Sequence, residues 1–204
     1  LDILAAVDAS GKVIFRANNP RQFGDEKLRN QFVARALKGE LVSGTTIIPT
    51  TELTLEGEEL VRQAHIQVAG TKSDPTPPAP LNGAMFLFVA APVRDQAGNV
   101  VGALYGGVLL NNNKKLVDKI KTVVYEGAKL NGRDVGNSTI FQGDVRIATN
   151  VPNTDGSRAI GTKLSAPVYD RVLLKGAKWV GRAFVVNDWY LTAYEPILSL
   201  QGVP

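Results

Sequence analysis

The sequence has no cysteine, one histidine, one methionine and two tryptophans in 204 residues. Lack of cysteine removes disulfides, thiol nucleophiles and cysteine-ligated zinc together. His65 is the lone histidine, so any histidine-based triad would have to be built around it, and no Gly-x-Ser-x-Gly elbow supplies a nucleophile. A phosphate loop ending in Gly-Lys-Ser/Thr is missing as well. No apolar run reaches the roughly 18 residues of a membrane-spanning helix. No charged-then-apolar leader opens the chain, and strand-like sequence begins at Leu1, so the sequence reads as an excised piece. These gaps leave little for an enzyme to work with, and none is expected.

Charge is equally unassertive. The formal net charge is +4, with Lys and Arg spread along the chain. Only Lys114, Lys115, Lys119 and Lys121 cluster, beside helix-like sequence. A nucleic-acid footprint would be denser and interleaved with aromatics, so this reads as a solvated helix face and no nucleic-acid partner is expected. Asp25 with Glu26, and Glu56 with Glu58 and Glu59, lack the Asp/Asn alternation around glycine of a calcium loop. Neither a metal nor a cofactor is expected. His65, with Gln63 and Gln67 on its strand face, reads as solvent-facing.

What the sequence does contain is a pattern that occurs twice. Gly11-Lys12-Val13-Ile14-Phe15-Arg16-Ala17-Asn18-Asn19-Pro20 returns as Gly143-Asp144-Val145-Arg146-Ile147-Ala148-Thr149-Asn150-Val151-Pro152. Leu37-Lys38-Gly39 with Gly44 returns as Leu174-Lys175-Gly176 with Gly181. Ala91-Pro92-Val93 with Gly98 returns as Glu195-Pro196-Ile197 with Gly202. The landmarks keep their order, the pairs roughly 100 to 140 residues apart, which is too long for a solenoid and suits two copies of a small domain.

In the first copy, Asp8-Ala9-Ser10-Gly11 is a tight turn between two strand-like runs. Lys12 to Ala17 alternates, with Val13, Phe15 and Ala17 on one face and Lys12, Ile14 and Arg16 on the other. Asp25 is positioned to cap a helix over about 26–38, ended by Gly39. Residues 42–48 return to strand, and 60–68 alternate with Leu60, Arg62, Ala64, Ile66 and Val68 on one face. Residues 70–83, rich in proline, form a loop. Strands are expected over 84–93 and 99–110; the glycines from Gly102 to Gly107 mark close packing or a bulge. Residues 112–126 carry Leu116, Ile120, Val123 and Val124 at helical spacing. In the second copy a hairpin over 138–149 precedes a helix capped by Ser165 with Pro167 in its first turn. Strands over 179–186 and 189–197 follow, joined at Asn187-Asp188. By the repeat, Gly202 aligns with Gly98, so this copy has no counterpart of the strand 100–110, which predicts an unpaired sheet edge. The expected fold is α+β: two PAS-like modules, each a mainly antiparallel sheet with flanking helices. The expected boundaries are 1–111, a connector over 112–136, and 137–204.

With these elements in order, the sequence resembles the Cache family of extracellular sensor domains. The resemblance lies in Val7-Asp8-Ala9-Ser10-Gly11-Lys12-Val13, in Ala90-Ala91-Pro92-Val93 with Gly102-Ala103-Leu104-Tyr105-Gly106-Gly107-Val108, and in residues 140–150. It continues through Gly161-Thr162, residues 181–186 and residues 189–197. The pattern is similar to a double-Cache arrangement. That resemblance implies the periplasmic part of a bacterial inner-membrane receptor, a chemoreceptor or a sensor histidine kinase, with the first module distal to the membrane. It further implies a membrane anchor outside this sequence and a homodimer formed through a helix that precedes such modules.

Candidate ligand residues follow from polar groups on apolar faces. Arg62 shares its predicted face with apolar residues, and a buried guanidinium needs a partner: a ligand carboxylate, an internal acid, or water at a strand end. Arg16 and Asn18 stand at the hairpin end as polar support, and Phe86 or Phe88 supplies a wall. In copy two, Arg182, Trp189 and Tyr190 can line an equivalent pocket. The expected site lies in the first copy, with residues 70–83 as a lid. The function expected is sensing of a small molecule, a short organic anion such as a carboxylate. The alternative is a structural or protein-interaction module that senses a periplasmic partner.

Overall fold

The computed structural model describes residues 1–70, 78–130 and 133–204. The chain falls into two units, residues 1–64 with 82–109 and residues 65–81 with 110–204. The second unit therefore takes in 65–81 and starts at Leu110, ahead of the boundary expected from the repeat.

Unit 1 begins with strands β1 (Ile3–Asp8) and β2 (Val13–Arg16). The Asp8 carboxylate accepts from the Ser10 and Lys12 amides, and Gly11 supplies a positive φ, which closes the predicted turn. Next come helix α1 (Gln31–Ala36), β3 (Val42–Ile48), helices α2 (Thr50–Glu56) and α3 (Glu58–Ala64), β4 (Ala84–Arg94) and β5 (Val100–Leu109). The strands form one antiparallel sheet in the order β2-β1-β5-β4-β3. Its inner face buries Ile3, Ala5, Val7, Phe86, Phe88, Ala103 and Tyr105, with Phe32, Val33 and Ala36 of α1 among the same core residues. Phe88 sits 5.2 Å from Phe32 edge-on and stacks 5.7 Å from Tyr105. Gly107 gives these rings room: a Cβ there would stand 3.1 Å from both Phe86 and Phe88. This α+β, mainly antiparallel architecture is consistent with a PAS-like fold.

Three expectations fail in unit 1, each for a local reason. The helix starts at Gln31 rather than near 26, capped by Asn30, whose side chain accepts from the Phe32 and Val33 amides. Residues 24–27 instead run beside β2, with Val13 N donating to Asp25 O and Lys27 N to Gly11 O. Asp25 is thereby drawn away from capping. Residues 58–64 are helix, not strand: Leu60 and Ala64 share a face at a spacing of four under either periodicity, so alternation alone misread them. Strand-like alternation survives only beyond, with Ile66 and Val68 buried and His65 and Gln67 exposed. Finally, a bulge in the β1–β2 ladder sets Val7 opposite Val13 but Ala6 opposite Phe15, so Ile14 is the extra residue. That slip turns Arg16 inward with Val13 and leaves Phe15 outside, opposite to simple alternation.

Unit 2 carries helix α4 (Lys114–Tyr125), the short pair β6 (Lys129–Leu130) and β7 (Arg133–Asp134), and the hairpin β8 (Thr139–Gln142) and β9 (Val145–Thr149). Helix α5 (Ala166–Tyr169) continues into a π-helical turn, Asp170–Leu174, and the pair β10 (Trp179–Val185) and β11 (Asp188–Tyr194) follows. Helix α4 buries Val117, while Val123 and Val124 of the predicted stripe are exposed. Ser165 stands at the start of α5 with Pro167 in its first turn, though its side chain makes no capping bond. The β10–β11 turn is Val186-Asn187, with Val186 at positive φ, and Asp188 already lies in β11. Among the described residues, β10 and β11 pair only with each other, so each has an unpaired outer edge. Core residues Val151, Ala159, Val168, Val172, Ala183 and Val185 pack with Trp179, Tyr190 and Tyr194.

Candidate ligand site

The expected anchor, Arg62, lies on the exposed face of α3. Its side chain is 65% exposed and pairs with Glu59 at 2.7 Å one helical turn away. With 60–64 helical rather than extended, nothing turns it toward the core. Asn18 is exposed and donates to the Asp2 carbonyl. Phe86 and Phe88 are core residues, 0% and 3% exposed, rather than the wall of an open pocket. The proposed lid falls largely on 71–77, outside the described residues. On β10–β11, Arg182 lies over Trp189 at 5.5 Å, but both are on the exposed face of the pair while Tyr190 points into the core on the other. Arg182 and Trp189 thus form an exposed cation–π pair that Tyr190 does not join.

Arg16 is the one predicted residue buried with charged company. Its guanidinium engages Asp25 through two bonds of 2.7 Å, and Nη1 also donates to the Gln22 carbonyl. Its Nε stands 3.2 Å from Glu56 Oε2, near enough for charge attraction though without hydrogen-bond alignment. Glu56, itself buried, lies 3.3 Å from Lys27 Nζ and accepts from the Tyr105 hydroxyl at 3.0 Å. Burial pulls the Arg16 guanidinium toward neutrality, but Asp25 and Glu56 outweigh it and hold the group above its usual range. Asp25 is held below the usual carboxylate range, chiefly by its bond from Arg16. Burial, reinforced by the Glu56 charge, pushes the Tyr105 phenol up. Lys27 also lies 3.8 Å from the half-exposed Glu52, so both buried cations meet carboxylates of this unit.

Unit 2 holds an arginine in the opposite condition. Arg146, in β9, is 2% exposed. A bulge sets Ile140 opposite Ala148 but Phe141 opposite Arg146, which places Arg146 beside Phe141 with its guanidinium carbon 4.9 Å from the ring centre. Its backbone is fixed on the other side, its N donating to Thr162 O and its O accepting from Gly161 N. Gly161 is needed there: its φ is +84° and a Cβ would collide with the Gln67 carbonyl. Nη1 donates to the Thr162 hydroxyl, which in turn donates to the Ala159 carbonyl. No carboxylate among the described residues approaches Arg146, and its buried Nε has no hydrogen-bond partner. Burial therefore pushes its pKa down to about 10, with only Tyr194 acting the other way.

Two aromatic side chains, Phe141 and Tyr194, stand on this cation's side. Tyr194 lies 6.0 Å from Phe141, and Trp179 sits directly across from Tyr194 in the β10–β11 ladder. The buried Trp179 Nε1 is a second donor with no partner. Beside it, Gly181 adds no side-chain bulk on the inner face. The arrangement offers an unpaired positive charge beside aromatic faces, the chemistry that suits an anion. Gln142 Oε1 also lacks a partner, but Gln142 faces the opposite side of the hairpin. Sequence reading passed over Arg146 because residues 145–149 read as one arm of a hairpin. The available signal was an arginine inside the apolar run Val145-Arg146-Ile147-Ala148, all of it buried.

Comparison with protein families places a match on this unit. Residues 108–204 match the family model described as Single cache domain 3. The matched span holds α4, both hairpin strands, α5 and β10–β11, and with them Arg146, Phe141, Trp179 and Tyr194. It supports a Cache sensor domain in this part of the chain; Cache domains are extracellular sensor domains of signalling receptors. A search of curated proteins finds no match. Among the described residues no helix is long and apolar enough to cross a membrane.

Proposed function

We propose that this chain is the extracytoplasmic ligand-sensing region of a bacterial transmembrane receptor, and that unit 2 holds a short organic anion at Arg146. The observation that carries this reading is a buried guanidinium with no carboxylate of its own, inside the unit that matches a Cache model. A buried charge left unpaired is costly, and an anionic ligand is the partner that would relieve it. Unit 1 then serves as a second, distal Cache-type module. Its buried Arg16 and Lys27 already have carboxylate partners in Asp25, Glu56 and Glu52, which favours a structural or protein-contact role for that unit. The parent protein is anchored in the inner membrane outside this sequence and acts as a homodimer, feeding a chemoreceptor or kinase output. Ligand binding would bias the receptor by its differential affinity for two arrangements.

A thermal-shift screen of organic acids tests the reading. A binding acid at 100 times its Kd raises stability by about 2.7 kcal/mol. The rise should vanish in Arg146→Met and persist in Arg62→Ala. Acids that shift neither protein, or shift both equally, would remove Arg146 from the site.

A further inference from the structure

The charge count around Arg146 restricts the ligand further. Among the described residues, Tyr194 is the one ionisable side chain acting on Arg146, so the site carries a single positive charge. Unit 1 shows how the same chain neutralises buried cations: Arg16 faces Asp25 and Glu56, and Lys27 faces Glu56 and Glu52. Nothing equivalent stands beside Arg146. Its Nη1 is committed to Thr162, which leaves Nε and Nη2 as the side of the guanidinium free to take both oxygens of one carboxylate. The aromatic side chains beside the guanidinium are Phe141 and Tyr194, surfaces that suit an apolar body.

We infer that the Arg146 site takes a monocarboxylate with an apolar body, in preference to a dicarboxylate or an amino acid; this rests on the sensing function proposed above. A second carboxylate would bring a buried negative charge that no further cation meets. An α-amino group would bring an ammonium into a site with no acid to receive it and with a guanidinium already present. Matching one charge to one charge leaves neither penalty. The neutral amide of the same acid would lose the charge-assisted pair and retain only the apolar contact.

Ligands sharing a skeleton but differing in charge provide the test, measured by titration calorimetry on the 204-residue protein. One set is 3-phenylpropionate, phenylalanine, benzylmalonate and 3-phenylpropionamide. A shorter set is propionate, alanine, methylmalonate and propionamide. In at least one set the monocarboxylate should bind at least about tenfold tighter than its three relatives. Arg146→Met and Arg146→Lys should each lose that preference, with unchanged circular dichroism showing that they remain folded. If benzylmalonate, methylmalonate or an amino acid binds as tightly as its monocarboxylate and depends on Arg146, the charge-matching inference is overturned while the sensing function stands. If no member of either set binds the unsubstituted protein, both fall.

Discussion

Replacing Arg146 by Met should leave the unliganded protein as stable as before or more stable, an unusual outcome for deleting a residue that is 2% exposed. The depression of its pKa from 12.5 to about 10 corresponds to roughly 3 kcal/mol against the charged form. Two contacts offset that cost. The cation–π contact with Phe141 contributes on the order of 1–2 kcal/mol when desolvated, and the bond to Thr162 about 1 kcal/mol. Met fills much of the same volume without the charge, so the change should fall between neutral and about 1 kcal/mol stabilising. In a chain of this length that is a Tm rise of up to about 2–4 °C, measurable by calorimetry or circular dichroism. The pH dependence has a definite sign. Arg146 has a depressed pKa, so the folded state releases its proton before the unfolded state does. Its penalty is full at neutral pH and shrinks as pH rises through about 10. The advantage of Arg146→Met over the parent should therefore narrow above that pH. A loss of more than about 2 kcal/mol at pH 7, insensitive to alkali, would show that Arg146 is a structural tie, and the reasoning from an unpaired buried charge would be refuted.

The contrasting arginine should behave in the ordinary way. Arg16→Met should cost about 3–5 kcal/mol in chemical denaturation, because Asp25 loses its counter-charge and buried Glu56 keeps only that of Lys27. Asp25 has a folded pKa below its usual 3.8, so its contribution is complete above that value and is lost as pH falls through the lower folded one. Asp25→Asn should flatten that part of the acid denaturation curve. Arg62→Ala should change Tm by no more than about 1 °C, since its partners and its own side chain are in water. Gly161→Ala should cost at least about 2 kcal/mol by denaturant titration, combining a positive φ with a collision at the Gln67 carbonyl.

Much of the architecture was legible because turns and periodicity agree locally. Asp8-Ala9-Ser10-Gly11 closes the hairpin it suggests, and the runs over 84–93 and 99–110 are the two central strands β4 and β5. The failures share a cause in tertiary competition. Asp25 is a sound helix cap by type, but a bidentate bond from Arg16 claims it, and the helix starts at Asn30 instead. Leu60 and Ala64 satisfy strand and helix spacing equally, and only packing decides between them. Arg62 went astray with that choice. The burial of the arginines was illegible for a further reason. Strict alternation puts Arg16 opposite Val13, yet a one-residue bulge puts them together. Nothing in the residue types of β1 and β2 announces the bulge.

The same irregularity recurs in the second hairpin, and there it has chemical consequences. In β8–β9 the extra residue is Ile147, and the slip sets Arg146 beside Phe141. In both hairpins a bulge near the start of the second strand coincides with an arginine that is almost wholly buried. What differs is the segment that follows. After β2 the chain runs back along the strand through Gly24-Asp25-Glu26-Lys27 and delivers a carboxylate to Arg16. After β9 the chain also returns beside its strand, through Gly161-Thr162-Lys163, but delivers a hydroxyl to Arg146. A hydroxyl can orient a guanidinium but cannot neutralise it. Two hairpins of one pattern thus bury two arginines, and the residue carried by the returning segment decides which is complete within the chain. A carboxylate introduced at Thr162 would make the second hairpin resemble the first: Thr162→Asp should raise the stability of the unliganded protein and compete with any anion for Arg146. Stabilisation by carboxylic acids that survives in Thr162→Asp would mean that the anion binds elsewhere.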